Sequence, residues 1–120
     1  MKSLYIAVFF LFISAAASAQ SYTPDEAVKH VGDSITVCGK IFGGRFFETS
    51  KGSPTLLNMG APFPDSKFTV MIPGEVRLKL GYSPEQELKD KIICVRGKVI
   101  LYKERPEIII YDPSQISIQK

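Results

Sequence analysis

Histidine is nearly absent from this 120-residue chain, which has one, His30, and cysteine is scarce, with only Cys38 and Cys94. A lone imidazole has no partners from which to build a Ser-His-Asp relay or a zinc site. His30 therefore reads as a surface or partly packed side chain. The cysteines are too far apart for a CxxC redox motif. A phosphate-cradling glycine loop is also missing, since Gly43-Gly44 runs into Arg45 and Phe46 and not into Gly-Lys-Ser/Thr. Acidic residues lie mainly in loops and helix starts, where Asp25, Glu26 and Glu85 complement the helix dipole. No acid pair stands out as a general acid and base. With no catalytic residue, metal site or cofactor indicated, the expectation is a protein that binds and does not catalyse.

Long apolar runs are confined to the N-terminus. Lys2 precedes an uncharged run from Leu4 to Ile13, and Ala17-Ser18-Ala19 has the small-residue pattern of a cleavage site. Residues 1–19 read as an export signal and residues 20–120 as a single small domain, either periplasmic or secreted. Even extended to Ala19, the apolar stretch is shorter than the roughly 20 residues that span a bilayer. No membrane span is expected after its removal. Excess charge is small as well: the formal charge of the whole chain is +3, and losing Lys2 leaves +2. That is too little to imply nucleic-acid binding by itself, because phosphate recognition depends on local clustering of cations.

Thr23-Pro24-Asp25-Glu26 is a capping box with proline at the first helical position, and Gly32 is a natural terminator, so a short helix is expected over 24–31. Ile35 to Phe42 is β-branched and apolar, a strand pattern. Gly43-Gly44-Arg45, then Glu48 to Pro54, are rich in turn formers and read as a long hairpin loop interrupted by Phe46-Phe47. Thr55–Met59 and Lys67–Ile72 are the second and third strands, separated by a connection with Pro62 and Pro64. Residues 75–90 turn helical, with a second capping-box pattern at Ser83-Pro84-Glu85-Gln86. Lys91–Tyr102 is the fourth strand and Glu107–Tyr111 the fifth. Asp112-Pro113 breaks that strand, and Ile116 and Ile118 extend it as a last edge. A helix, three strands, a helical connection and two strands follow the order of the OB-fold, a mainly β, five-stranded Greek-key barrel. SH3-like barrels also have five short strands but usually lack the helical insert. Gly39-Lys40 and Gly97-Lys98 each place glycine inside a long strand, as at a bulge or a sharp bend.

Side-chain parity ties the cysteines together. If Ile35, Val37 and Ile41 face the core, Cys38 faces away; if Ile93, Val95 and Val99 face the core, so does Cys94 face away. The first and fourth strands of such a barrel are neighbours. A Cys38–Cys94 disulfide is then favoured over two buried free thiols, although bulges near Gly39 and Gly97 would shift the parity. The bridge would add ~2–4 kcal/mol of stability, and an exported protein meets the oxidising conditions it needs.

The binding cleft of an OB-fold usually uses the second and third strands and the loops between strands 1–2 and 4–5. Here those loops hold Arg45, Phe46, Phe47 and Lys51, then Tyr102, Lys103 and Arg105. Bases stack on aromatics while cations track the phosphates, so the mixture suits single-stranded DNA or RNA. A structural alternative stands beside it: Phe46 and Phe47 cap one mouth of the barrel, Phe63 packs beneath the proline loop, and Glu48 and Glu104 dilute the positive field.

The stretches Glu26-Ala27-Val28-Lys29-His30-Val31-Gly32, Thr36-Val37-Cys38-Gly39-Lys40, Thr55-Leu56-Leu57-Asn58-Met59-Gly60, Phe63-Pro64, Phe68-Thr69-Val70, Cys94-Val95-Arg96-Gly97-Lys98 and Pro113-Ser114-Gln115-Ile116 resemble the exported bacterial OB-fold modules associated with nucleic-acid binding. These occur alone or beside secreted nuclease domains. The resemblance implies the OB-fold and contact with DNA or RNA, and offers no catalytic residue. Met71-Ile72-Pro73-Gly74 departs from the pattern, where a more open strand end with an aromatic is common. The expected partners are single-stranded nucleic acid, or else a separate secreted nuclease, an envelope protein or an oligosaccharide, taken up by a monomer.

Overall fold

Two long strands carry the architecture of residues 20–120, which the computed structural model describes. The expected export signal, residues 1–19, lies outside the described residues. The chain begins with a two-residue strand, β1 (Ser21–Tyr22), and helix α1 (Pro24–Ala27), whose capping box forms as expected between Thr23 and Glu26. The helix is shorter than its sequence pattern indicates, and a 3-10 turn, Val28–His30, continues it. There His30 packs its ring 4.2 Å from that of Tyr22 and sets Nδ1 3.2 Å from the Asp33 carboxylate, a structural position.

β2 (Ser34–Phe46) is 13 residues long and β5 (Ile92–Tyr102) is 11. They pair antiparallel without interruption from Ser34 opposite Lys98 to Lys40 opposite Ile92. Beyond that point each leaves the other. β2 turns to β3 (Thr55–Met59), with a register shift between Ile41 and Gly44, and β5 turns to β6 (Arg105–Ile109). β3 pairs antiparallel with β4 (Phe68–Ile72), and β4 pairs parallel with β6, closing a five-stranded barrel in the order β2-β3-β4-β6-β5. β7 (Ile116–Ile118) adds an outer strand to β5, and β1 adds one to β2.

The bend in β2 lies later than its sequence suggests. Gly39 and Gly97 sit in regular ladder, where a Cβ would meet Met59 at 2.8 Å and Ile108 at 2.8 Å respectively, so both allow close packing and neither marks a bulge. The bulge falls at Gly43-Gly44, which has φ of +119° at Gly43 and no room for a Cβ at Gly44 beside the Leu56 carbonyl. These glycines belong to the strand and not to a hairpin loop. The loop proper starts at Phe47, whose N–H donates to the Pro54 carbonyl at 2.9 Å.

Because the irregularity follows Cys38, side-chain parity is kept through both cysteines. Cys38 and Cys94 are direct cross-strand partners on the outer face, joined by a disulfide across a Cα–Cα distance of 4.0 Å and a sequence separation of 56. Such a cystine belongs to an oxidising compartment. Inside the barrel, alternate residues of β3 and β4 are fully buried, among them Leu57, Met59, Phe68, Val70 and Ile72.

The connection between β4 and β5 forms α2 (Gly74–Leu80) and α3 (Pro84–Glu87), and Val76 and Leu88 plug the core from this end. Ser83 makes no side-chain cap, unlike the expected capping box, because its hydroxyl accepts from Arg77 at 3.1 Å. Arg77 also donates to the Thr55 hydroxyl at 2.8 Å and to both carboxylate oxygens of Glu85, at 2.6 and 2.8 Å. The ion pair is largely withdrawn from water, with side chains 15% and 13% exposed. Hydrogen bonds from Arg77 hold the Glu85 carboxyl below the usual carboxylate range. Among the described residues no helix is long and apolar enough to cross a membrane.

Reduction of the disulfide should lower stability by ~2–4 kcal/mol, read as a shift of the urea midpoint, and should release two alkylatable thiols absent from native protein. An unmoved midpoint would show that strand pairing holds without the clamp. Arg77→Met should cost about 3 kcal/mol by the same measurement, because it leaves Glu85 with no counterion. Glu85 has a lowered folded pKa, so its contribution is complete above the ordinary carboxylate pKa and is lost as pH falls through the folded value. The gap between wild type and variant should therefore narrow on acidification, and a constant gap would remove the ion pair from the account.

Candidate functional site

Strand registers assign the outer face of the barrel row by row. Leu56, Met71 and Ile109 form one row across β3, β4 and β6, and Asn58, Thr69, Glu107 and Ile100 form the next, ending on β5. Tyr102 pairs with Arg105 at the end of the β5–β6 hairpin. Lys103 and Glu104 make its two-residue turn with φ of +49° and +66°, the left-handed geometry of a tight hairpin. Across from this turn the β3–β4 connection carries Phe63.

Between these elements lies a groove of about 350 Å³, lined by Leu56, Asn58, Phe63, Thr69, Tyr102, Lys103, Arg105 and Glu107. Apolar side chains and ring faces make its walls, two cations stand at its rim, and a polar row makes its floor. Phe63 is 72% exposed and Tyr102 55%. Each ring has a cation beside it: the Arg105 guanidinium lies 5.9 Å from the Phe63 centroid and the Lys103 ammonium 5.5 Å from that of Tyr102. Arg105 also donates to the Pro64 carbonyl at 3.2 Å, which ties the hairpin to the opposite wall. The exposure of Phe63 corrects the expectation that it packs beneath the proline loop.

The structure brings three of the sequence-selected residues together in this groove: Tyr102, Lys103 and Arg105. Arg45 lies outside it, opposite the groove-lining Leu56 on the same outer face, with its guanidinium 5.0 Å from the Phe47 ring. These two extend the surface toward the β2–β3 hairpin. Lys51 is exposed within that hairpin loop, away from the groove lining. Phe46 goes the other way. It pairs with the fully buried Thr55, and the Arg77 guanidinium lies 3.7 Å from its ring, so its face is occupied by the fold's own cation at the closed end of the barrel.

Leu56, Asn58, Thr69 and Glu107 are groove residues that inspection of loops does not find, and Phe63, on a loop, was there assigned to packing. The four on strands were legible as the outward alternation of amphipathic strands, once β3, β4 and β6 are known to be adjacent. Glu107 differs from the rest. Although it faces outward by register, it is 6% exposed, and burial pushes its carboxyl above the usual carboxylate range. Among the described residues it has no hydrogen-bond or ion-pair partner, and no three His, Cys, Asp or Glu side chains cluster.

No family model matches the chain, and no curated protein does. Solved structures are similar to it. The structure of yeast Stn1 and Ten1 aligns with a TM-score of 0.57 at 16% identity, covering 88% of this chain and 65% of that one. A putative aspartyl-tRNA synthetase from Leishmania major Friedlin aligns at 0.56 and 13% identity, covering 90% of this chain but 22% of the synthetase. OBody AM1L10, bound to hen egg-white lysozyme, aligns at 0.54 and 15% identity over 82% and 91% of the two chains. At such identities the likeness shows the fold alone, and that fold is the OB barrel anticipated from the order of elements.

The raised pKa of Glu107 has a consequence for stability. An acid whose folded pKa exceeds its unfolded value holds its proton more tightly in the native state, so stability falls as pH rises from the unfolded value to the folded one. Glu107→Gln removes that charge. It should be more stable than wild type by about 1 kcal/mol at pH 7, with the difference closing below the usual carboxylate range. Thermal melts at both pH values check this, and a variant that melts lower at pH 7 would contradict it.

Proposed function

We propose that this protein is an exported, non-enzymatic OB-fold domain that binds single-stranded nucleic acid along the outer face of β3, β4 and β6, with little sequence preference in its backbone contacts. One observation supports the reading above others: two exposed rings, Phe63 and Tyr102, face one groove from opposite walls, each with a cation within 6 Å. Rings take bases by stacking, and every base has a π face; cations take the phosphates between them. Lys103 and Arg105 serve the groove, while Arg45 and Phe47 continue the track along the sheet. Lys51, in the exposed hairpin loop, would meet the strand only where it leaves the face.

Export is supported by the pattern of residues 1–19 together with the Cys38–Cys94 bridge, which suits a periplasm or an extracellular medium. A second reading has its own support. OBody AM1L10 shares the fold and has a protein bound to it, so a protein of the envelope, or a secreted nuclease to which this chain is an accessory, is the alternative occupant of the same face. Salt separates the two, because neutralising phosphates releases counterions and a mainly apolar protein contact does not.

Fluorescence anisotropy of the oxidised protein with oligo-dT should show affinity falling steeply between low and physiological salt. Phe63→Ala and Tyr102→Ala should each weaken binding by ~1–3 kcal/mol, whereas Arg45→Ala should lower the salt slope. Binding that ignores salt and both aromatic substitutions would transfer the face to a protein partner.

A further inference from the structure

We propose that Glu107 makes one position of the groove selective for guanine, by accepting the two parallel N–H groups of its Watson–Crick edge. The inference rests on the nucleic-acid reading of the groove and adds to it a specificity that stacking and phosphate contacts lack.

Glu107 sits in the middle of the groove floor, between Thr69 of β4 and Ile100 of β5 in the register. It is 6% exposed and, among the described residues, unpartnered. No fully buried side-chain polar atom among those residues lacks a hydrogen bond, so the carboxylate oxygens are the part of Glu107 that opens onto the groove. Neither groove cation is paired with it: Arg105 donates to the Pro64 carbonyl, and Lys103 stands beside the Tyr102 ring at the rim. A carboxylate with no cation beside it and little contact with water opposes folding, and an uncharged side chain would occupy a strand position of this kind without the cost of a charge. What the fold leaves unpaired is available to a partner from outside.

The chemistry of the acceptor narrows the partner. An ionised carboxylate only accepts, through two oxygens that suit two parallel donors. Guanine presents N1–H beside its N2 amino group. Adenine and cytosine each set a ring-nitrogen lone pair beside their amino group, and thymine or uracil flanks its single N–H with two carbonyls; each of these turns a lone pair toward the carboxylate. Phe63 and Tyr102 flank the floor and hold the ring in place by stacking. The groove, about 350 Å³, is at the small end of ligand sites and takes one base, not a stacked run. A protein guanidinium offers the same pair of donors, and the experiment separates it.

The test uses the oxidised protein and four oligo-dT probes carrying one central dG, inosine, dA or dC, together with unsubstituted oligo-dT. The dG probe should bind about tenfold more tightly than every other one, the scale of a single specific base contact. Inosine lacks the N2 amino group and should lose most of that gain. Glu107→Gln should abolish the dG preference, so that the dG probe and unsubstituted oligo-dT bind the variant with the same affinity, while Phe63→Ala weakens all probes together. Equal binding of all probes, or a dG preference that survives Glu107→Gln, overturns the guanine assignment and leaves the nucleic-acid reading intact. Failure to bind any oligonucleotide at low salt, with an oligo-arginine peptide bound through Glu107 instead, overturns both.

Discussion

A strand that serves two sheets has to bend, and the bend in β2 is the constraint on which the rest of this protein depends. Its first half pairs with β5 and its second with β3, so closure requires a change of direction between Ile41 and Gly44. Gly43 supplies the positive φ, and Gly44 lets the backbone pass the Leu56 carbonyl. The Cys38–Cys94 bridge lies just before the bend, where both strands are still in register. It holds the two longest strands together where they still pair with each other.

The barrel so formed has one end closed by the α2–α3 connection. Val76 and Leu88 enter the core from there, and Arg77 gathers Thr55, Ser83 and Glu85 over the ring of Phe46. A planar cation with five donors suits this position because it satisfies three polar groups while covering an aromatic face. With that end sealed, the outer face of β3, β4 and β6 is left to the hairpin turn at Lys103 and the loop at Phe63. Those two connections meet across the sheet through Arg105 and the Pro64 carbonyl. The groove is thus a product of two loops that meet over the sheet through the Arg105–Pro64 hydrogen bond. Glu107 stands apart in that floor, since it is the one member whose chemistry works against the fold that holds it.

Element order, core alternation and the partnership of the cysteines were legible in the sequence for a shared physical reason. Capping boxes, turn formers and the period of two in a strand are local, and parity along a strand follows from counting residues. Cys38 and Cys94 came together by that count, because the only irregularity in β2 falls after Cys38. The aromatics at 46 and 47 were not separable by such counting. Both stand beside glycines and cations, yet the bulge at Gly43-Gly44 sends Phe46 inward beneath Arg77 and leaves Phe47 beside Arg45 on the outer side. Four residues' worth of strand therefore looked like loop, since Gly-Gly is as natural in a turn as in a bulge.

The sequence alone determined which residues alternate, where the chain turns, and that a five-stranded barrel with a helical insert would follow; these depend on neighbours within a few positions. Only the tertiary structure decided which outward positions share one groove. Leu56, Phe63, Thr69, Tyr102 and Glu107 come from five separate segments, and their meeting depends on the parallel pairing of β4 with β6, a contact between strands far apart in the chain. The burial of Glu107 follows from the same fact: a carboxylate on the outer side of a strand is ordinarily wet, and it became nearly dry because loops from elsewhere in the chain wall the face on which it stands.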